Sequence, residues 1–138
     1  MTPSKSEAFT RLRWVYFINA TLLLCHEIDS AYWREWDLFH IPGGAPGFVA
    51  VHGLIIPLLL LGLVQIERQS PASRWTVFLV SGGGALGGLV HAAFLLSGDS
   101  HFATEFSMAL IAAFGLTSLL LLFLLLRGWG AIAIGDEP

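Results

Sequence analysis

The chain has 138 residues, of which 55% are hydrophobic and only 12% charged, and its mean hydropathy is +0.72. Soluble domains carry about twice that share of charge, so the composition excludes an ordinary soluble globule, and the Leu, Phe and Trp content excludes a disordered chain. A net charge of -3 without a basic patch excludes nucleic-acid binding, and the single cysteine, Cys25, excludes disulfide scaffolding within one chain.

A membrane-spanning helix needs about 20 mainly apolar residues. The first stretch to supply them is 14–33. Arg11 and Arg13 followed by an apolar run resemble a secretory leader, but no small-x-small cleavage site follows and Leu24 precedes Cys25, so the segment is expected to stay as a span. The 34–46 segment is a loop; its first half suits an interfacial helix with Trp36, Phe39 and His40 on one side. Pro42-Gly43-Gly44-Ala45-Pro46 then turns the chain back into the membrane. The second span is 47–64; within it Pro57 cannot donate to the carbonyl of Gly53, beside His52. The third, 75–97, contains Ser81-Gly82-Gly83-Gly84-Ala85-Leu86-Gly87-Gly88. Gly84, Gly87, Gly88 and His91 share one face, and small residues at that spacing let helices approach closely in lipid. The same face leaves a homo-oligomer open. The fourth span, 102–126, carries His101, Glu105, Met108 and Ala112 in a stripe, and 128–138 is expected to be a flexible tail. The expected fold class is all-α, an integral membrane four-helix bundle in one domain covering 1–138.

Charge orients the bundle. Lys5, Arg11, Arg13, Arg68, Arg74 and Arg127 fall on one side and only Arg34 on the other. The positive-inside rule then places both termini in the cytoplasm. Trp14, Trp75 and Trp129 mark the inner interface, Trp33 and Trp36 the outer one. The expected location is a bacterial inner membrane, in contact with the lipid bilayer.

The histidines carry the functional signal. At 1.5 Å of rise per residue, His26 lies about 10 Å below the outer end of its span, His52 about 7 Å, His91 about 9 Å and Glu105 about 5 Å. One ionisable residue from each span therefore reaches a similar level, facing the periplasmic side. Each costs about 2.5–3.5 kcal/mol at the centre of a membrane helix, so the layer must be paired, hydrated or metal-bound. Imidazole and carboxylate together suit a transition metal, zinc or iron. The expected ligands are His26, His52, His91 and Asp29. Glu27 and Glu105 are the candidate catalytic acid/base residues, in a site open to a lipid or amphipathic substrate from just below the headgroups. Three alternatives remain: haem held by two of the histidines, a non-catalytic binding site, and a polar layer that only pins helix packing. A transmembrane ion path is disfavoured because the inner half is almost wholly apolar. Whether the protein is an enzyme stays open. His40 and His101 are expected to be interfacial residues, and Glu35, Asp37 and Asp99 solvated ones.

The run His26-Glu27-Ile28-Asp29-Ser30-Ala31-Tyr32-Trp33-Arg34-Glu35-Trp36, followed by Leu38-Phe39 and Pro42-Gly43-Gly44, resembles a group of small bacterial four-span membrane proteins of unknown function. A later membrane histidine of that group matches His52. The resemblance implies no activity, only that His26, Glu27, Asp29 and the stretch 33–44 belong together.

Overall fold

The computed structural model describes residues 5–98 and 104–134. Among these residues it is all-helical: α1 (Lys5–Tyr32), α2 (Glu35–Leu38), α3 (Ala45–Glu67), α4 (Ser73–Leu96) and α5 (Glu105–Ile134). Three helices, α3, α4 and α5, are long and apolar enough to cross a membrane. At 28 residues, α1 has the length, but Arg11, Arg13, Asn19, His26, Glu27 and Asp29 interrupt its apolar character. α5 continues past the end expected from hydropathy, through Gly128 and Gly130 to Ile134. α3 runs unbroken through Pro57.

Both α1 and α4 pack against α3 and α5. At one end Phe9, Leu12, Ile66 and Leu125 share a core with Tyr16, Leu59 and Leu121. There Arg13 meets Glu67 at 3.0 Å, and Thr76 donates to the Gln65 side chain at 2.9 Å. The start of α1 thus lies beside the end of α3, so these helices run antiparallel, with Arg11, Arg13, Arg68 and Arg74 gathered at that end. Trp14 and Trp75 project outward there, 57% and 65% exposed.

Polar and small residues set the helix spacing. Buried Asn19 donates from Nδ2 to the Phe114 carbonyl, Thr117 Oγ1 and Ser118 Oγ at 3.1, 2.9 and 2.8 Å, tying α1 to α5. The Tyr16 hydroxyl donates to the Leu59 carbonyl at 3.0 Å. It fits because Gly62 has no side chain; a Cβ there would lie 2.1 Å from the hydroxyl oxygen. The glycine-rich face of α4 packs on α5 as its spacing implies: a Cβ on Gly84 would meet Ser118 Oγ at 2.2 Å, and one on Gly88 would meet the Gly115 backbone at 3.4 Å. Backbones approach this closely only where side chains are absent.

The link between α1 and α3 determines the functional end. Arg34 takes a left-handed conformation, φ 57° and ψ 46°, uncommon for a residue with a Cβ. It ends α1 and reverses the chain into α2. The expected interfacial helix is therefore present as one short turn, and it points Glu35 back at the helices. The chain enters α3 through Gly44, at φ 60° and ψ -134°, a region open essentially to glycine.

Candidate metal centre

Three elements converge on one cluster. His26 comes from α1, Glu35 from α2 and His91 from α4, each offering a ligand atom within 4.8 Å of the other two. His26 Nε2 and His91 Nε2 are 3.1 Å apart, and His91 Nε2 is 3.5 Å from Glu35 Oε1. The His91 side chain is 3% exposed and that of Glu35 11%. Phe114 stacks on the His26 ring at a centroid distance of 4.5 Å, and the Ser30 hydroxyl lies 3.4 Å from His26 Nε2. Packing thus fixes both imidazoles with their Nε2 atoms facing one point.

That donor set fits a transition metal. Ligand atoms about 2.0–2.1 Å from a tetrahedral ion stand about 3.3–3.4 Å from one another; the His26–His91 and His91–Glu35 separations, 3.1 and 3.5 Å, fall on either side of that value. Two imidazoles and one carboxylate are also a common set for catalytic zinc. Burial pushes the Glu35 carboxyl up, but hydrogen bonds from His91 and Ser30 and the nearby histidine charges outweigh it, holding the carboxyl below the usual range.

Beside this cluster lies a second pair. His52 Nε2 is 2.6 Å from Glu27 Oε2, while His52 Nδ1 faces the Phe48 carbonyl at 2.7 Å. A carbonyl only accepts, so Nδ1 carries a proton. The contact to Glu27 then needs a second proton, held on the imidazole or on the carboxyl. Glu27 faces the same cavity as His26, Glu35 and His91, with His52 behind it.

The residues expected from the sequence thus separate. His26 and His91 meet, whereas His52 pairs with Glu27 and stands apart from them. Asp29 sits one turn beyond His26, half-buried, with Oδ2 buried and without a hydrogen-bond partner among the described residues. Glu105 is exposed at the start of α5, because the chain enters that helix with Ser107 turned inward and bonded to Thr104. His40 is exposed. His101, Asp99 and the 102–103 start of the fourth span lie outside the described residues. Glu35 corrects the expectation of a solvated residue: Arg34 turns its side chain under the loop. Glu35 and Phe39, one helical turn apart, both line the cavity with His91.

The cavity holds about 400 Å³, within the usual range for small-molecule sites. Apart from the cluster its walls are apolar, from Leu23, Ile55, Leu58, Val80 and Phe114 among others. Fold and site together define a helical protein with helices of membrane-spanning length and a buried His/Glu cluster at one end of an apolar cavity. A family model matches residues 12–128, and the chain belongs to that family, the Family of unknown function (DUF6713). The match takes in every residue of the cluster. No curated protein matches the chain, and no solved structure does.

Proposed function

We propose that this is a four-span inner-membrane protein that holds a transition metal ion, zinc or iron, on His26, His91 and Glu35, and that it acts there on an amphipathic substrate. The observation that carries the reading is the convergence of these three side chains, from three separate elements, within 4.8 Å and out of solvent. A bound ion would supply Lewis-acid polarisation and a water acidified toward neutral pH. Three protein ligands leave a coordination position open, as catalytic sites require. Glu27, bonded to His52 and facing the cavity, is placed to give or take a proton from a bound group. Hydrolytic or oxidative chemistry suits such a set.

The basic residues at the α1-start and α3-end support a cytoplasmic position for that end, with the cluster at the periplasmic side. α1 completes the four spans on this reading: its charged residues below 14 lie outside the bilayer, and its His26 and Glu27 line the cavity.

Elemental analysis of detergent-purified protein tests the site. One ion per chain is expected, lost in His26→Ala and His91→Ala. Metal-free wild-type protein, with those variants as stable as wild type, overturns the reading in favour of a packing layer; a Soret band overturns it in favour of haem. Reporter fusions at the C-terminus test the orientation, with cytoplasmic signal expected.

A further inference from the structure

The cavity has a shape as well as a volume. On α4 it is bounded from Leu79 at one end to His91 at the other. Twelve residues of helix span about 18 Å, so the cavity, of about 400 Å³, is an elongated slot of a length that suits an extended hydrocarbon chain. The polar groups gather at the His91 end, and the remainder of the slot is apolar.

The slot also has a mouth. Leu79, Gly83 and Leu86 lie along one stripe of α4, and all three are exposed although they line the cavity. Across from them stand Ile55 and Leu58 of α3. The opening therefore runs along the seam between α3 and α4, two helices whose lengths and hydropathy suit a bilayer. In that setting the seam faces acyl chains and not water. At Gly83 a Cβ would have nothing within 4 Å, so no close helix contact demands glycine at this position, in contrast to Gly84, and a large side chain there would project into the opening.

We propose that the slot is a lateral entry site for the acyl chain of an amphiphile such as a fatty acid. Its oxygen-bearing head reaches His26, Glu35 and His91, and its tail lies along Leu79 and Leu58. This rests on the reading of the cluster as the reactive site, and it names the substrate class.

The probe is cis-parinaric acid, a fluorescent fatty acid, titrated into full-length protein in detergent micelles with palmitate as competitor. Saturable binding that palmitate displaces is expected for wild type. Gly83→Phe fills the slot and is expected to weaken binding at least tenfold while leaving the metal-to-protein ratio unchanged. Gly82→Phe is the control: a Cβ at Gly82 also meets nothing within 4 Å, but Gly82 does not line the slot, so wild-type affinity is expected. Leu58→Trp blocks the slot from the facing wall and serves if Gly83→Phe does not fold. Equal affinity in wild type, Gly83→Phe and Leu58→Trp overturns the inference even if the metal is present. So does a Gly83→Phe protein that changes from dimer to monomer by native mass spectrometry, since the seam would then be covered by a second copy. Loss of binding in both slot variants of a protein that carries no metal sustains the acyl-chain site and removes the metal reading alone.

Discussion

Glu35→Gln is the sharpest test of the metal centre, because it separates the carboxylate that the fold selects from those the sequence pattern favoured. The change keeps shape and removes one charge. Glu35 is 3.5 Å from His91, with side chains 11% and 3% exposed, so bulk water does not readily take its place. Losing a group that merely orients a ligand costs about 10–100-fold in metal affinity. Losing one of three direct ligands should exceed that, giving at least about 100-fold, or about 2.7 kcal/mol. Competition against a chromogenic zinc chelator measures this directly. Asp29→Asn and Glu105→Gln serve as the comparison: Glu105 is exposed and remote, and a change below about threefold is expected for it. Glu35→Gln within threefold of wild type, with Asp29→Asn strongly weakened, would refute the assignment and return the ligand role to Asp29.

Three further outcomes follow from the packing. Arg34→Pro should empty the site of metal although every ligand is intact, because proline cannot reach φ 57°; Arg34→Gly should retain the metal, and the metal-to-protein ratio decides both. Asn19→Leu should lower stability by about 1 kcal/mol, from the two N–H of Nδ2 shared among three acceptors at roughly 0.6 kcal/mol per bond in a membrane setting, read by denaturation in mixed micelles. Gly62→Ala should cost about 2–4 kcal/mol by forcing the buried Tyr16 ring aside and breaking its bond to Leu59. In Tyr16→Leu the same glycine change should cost much less, and an additive double-mutant cycle would contradict the contact.

The all-helical class and the three long apolar helices α3, α4 and α5 were legible in the sequence because lipid-length apolar runs have few alternatives. The glycine face of α4 was legible for a related reason, since three- and four-residue spacing of small residues has one structural use. His26 and His91 could be brought to one level by counting residues. Their true partner could not. Depth along a helix axis says nothing about rotation around it, and His52, at a suitable depth, faces Glu27 instead. Glu35 was hidden differently: its position depends on one left-handed residue, Arg34, which carries no sequence mark of that conformation. A basic, flanking residue next to an aromatic belt gives every local reason to place its neighbour in water.

The uneven character of α1 has a consequence for how the protein is made. α3, α4 and α5 are apolar and long enough to partition into a bilayer on their own hydropathy, whereas α1 carries Asn19, His26, Glu27 and Asp29 along its length. Asn19, His26 and Glu27 find their partners on α5, α4 and α3 respectively, all of which are synthesised later. On the four-span reading, α1 is thus fully satisfied only after the helices that follow it are made, and it depends on that downstream sequence to remain in the membrane. A chain truncated before α4 should lose α1 to the aqueous side or to proteolysis, and replacing His26 and Glu27 by leucine should relieve that dependence. Function and biogenesis pull in opposite directions on the same two turns of helix.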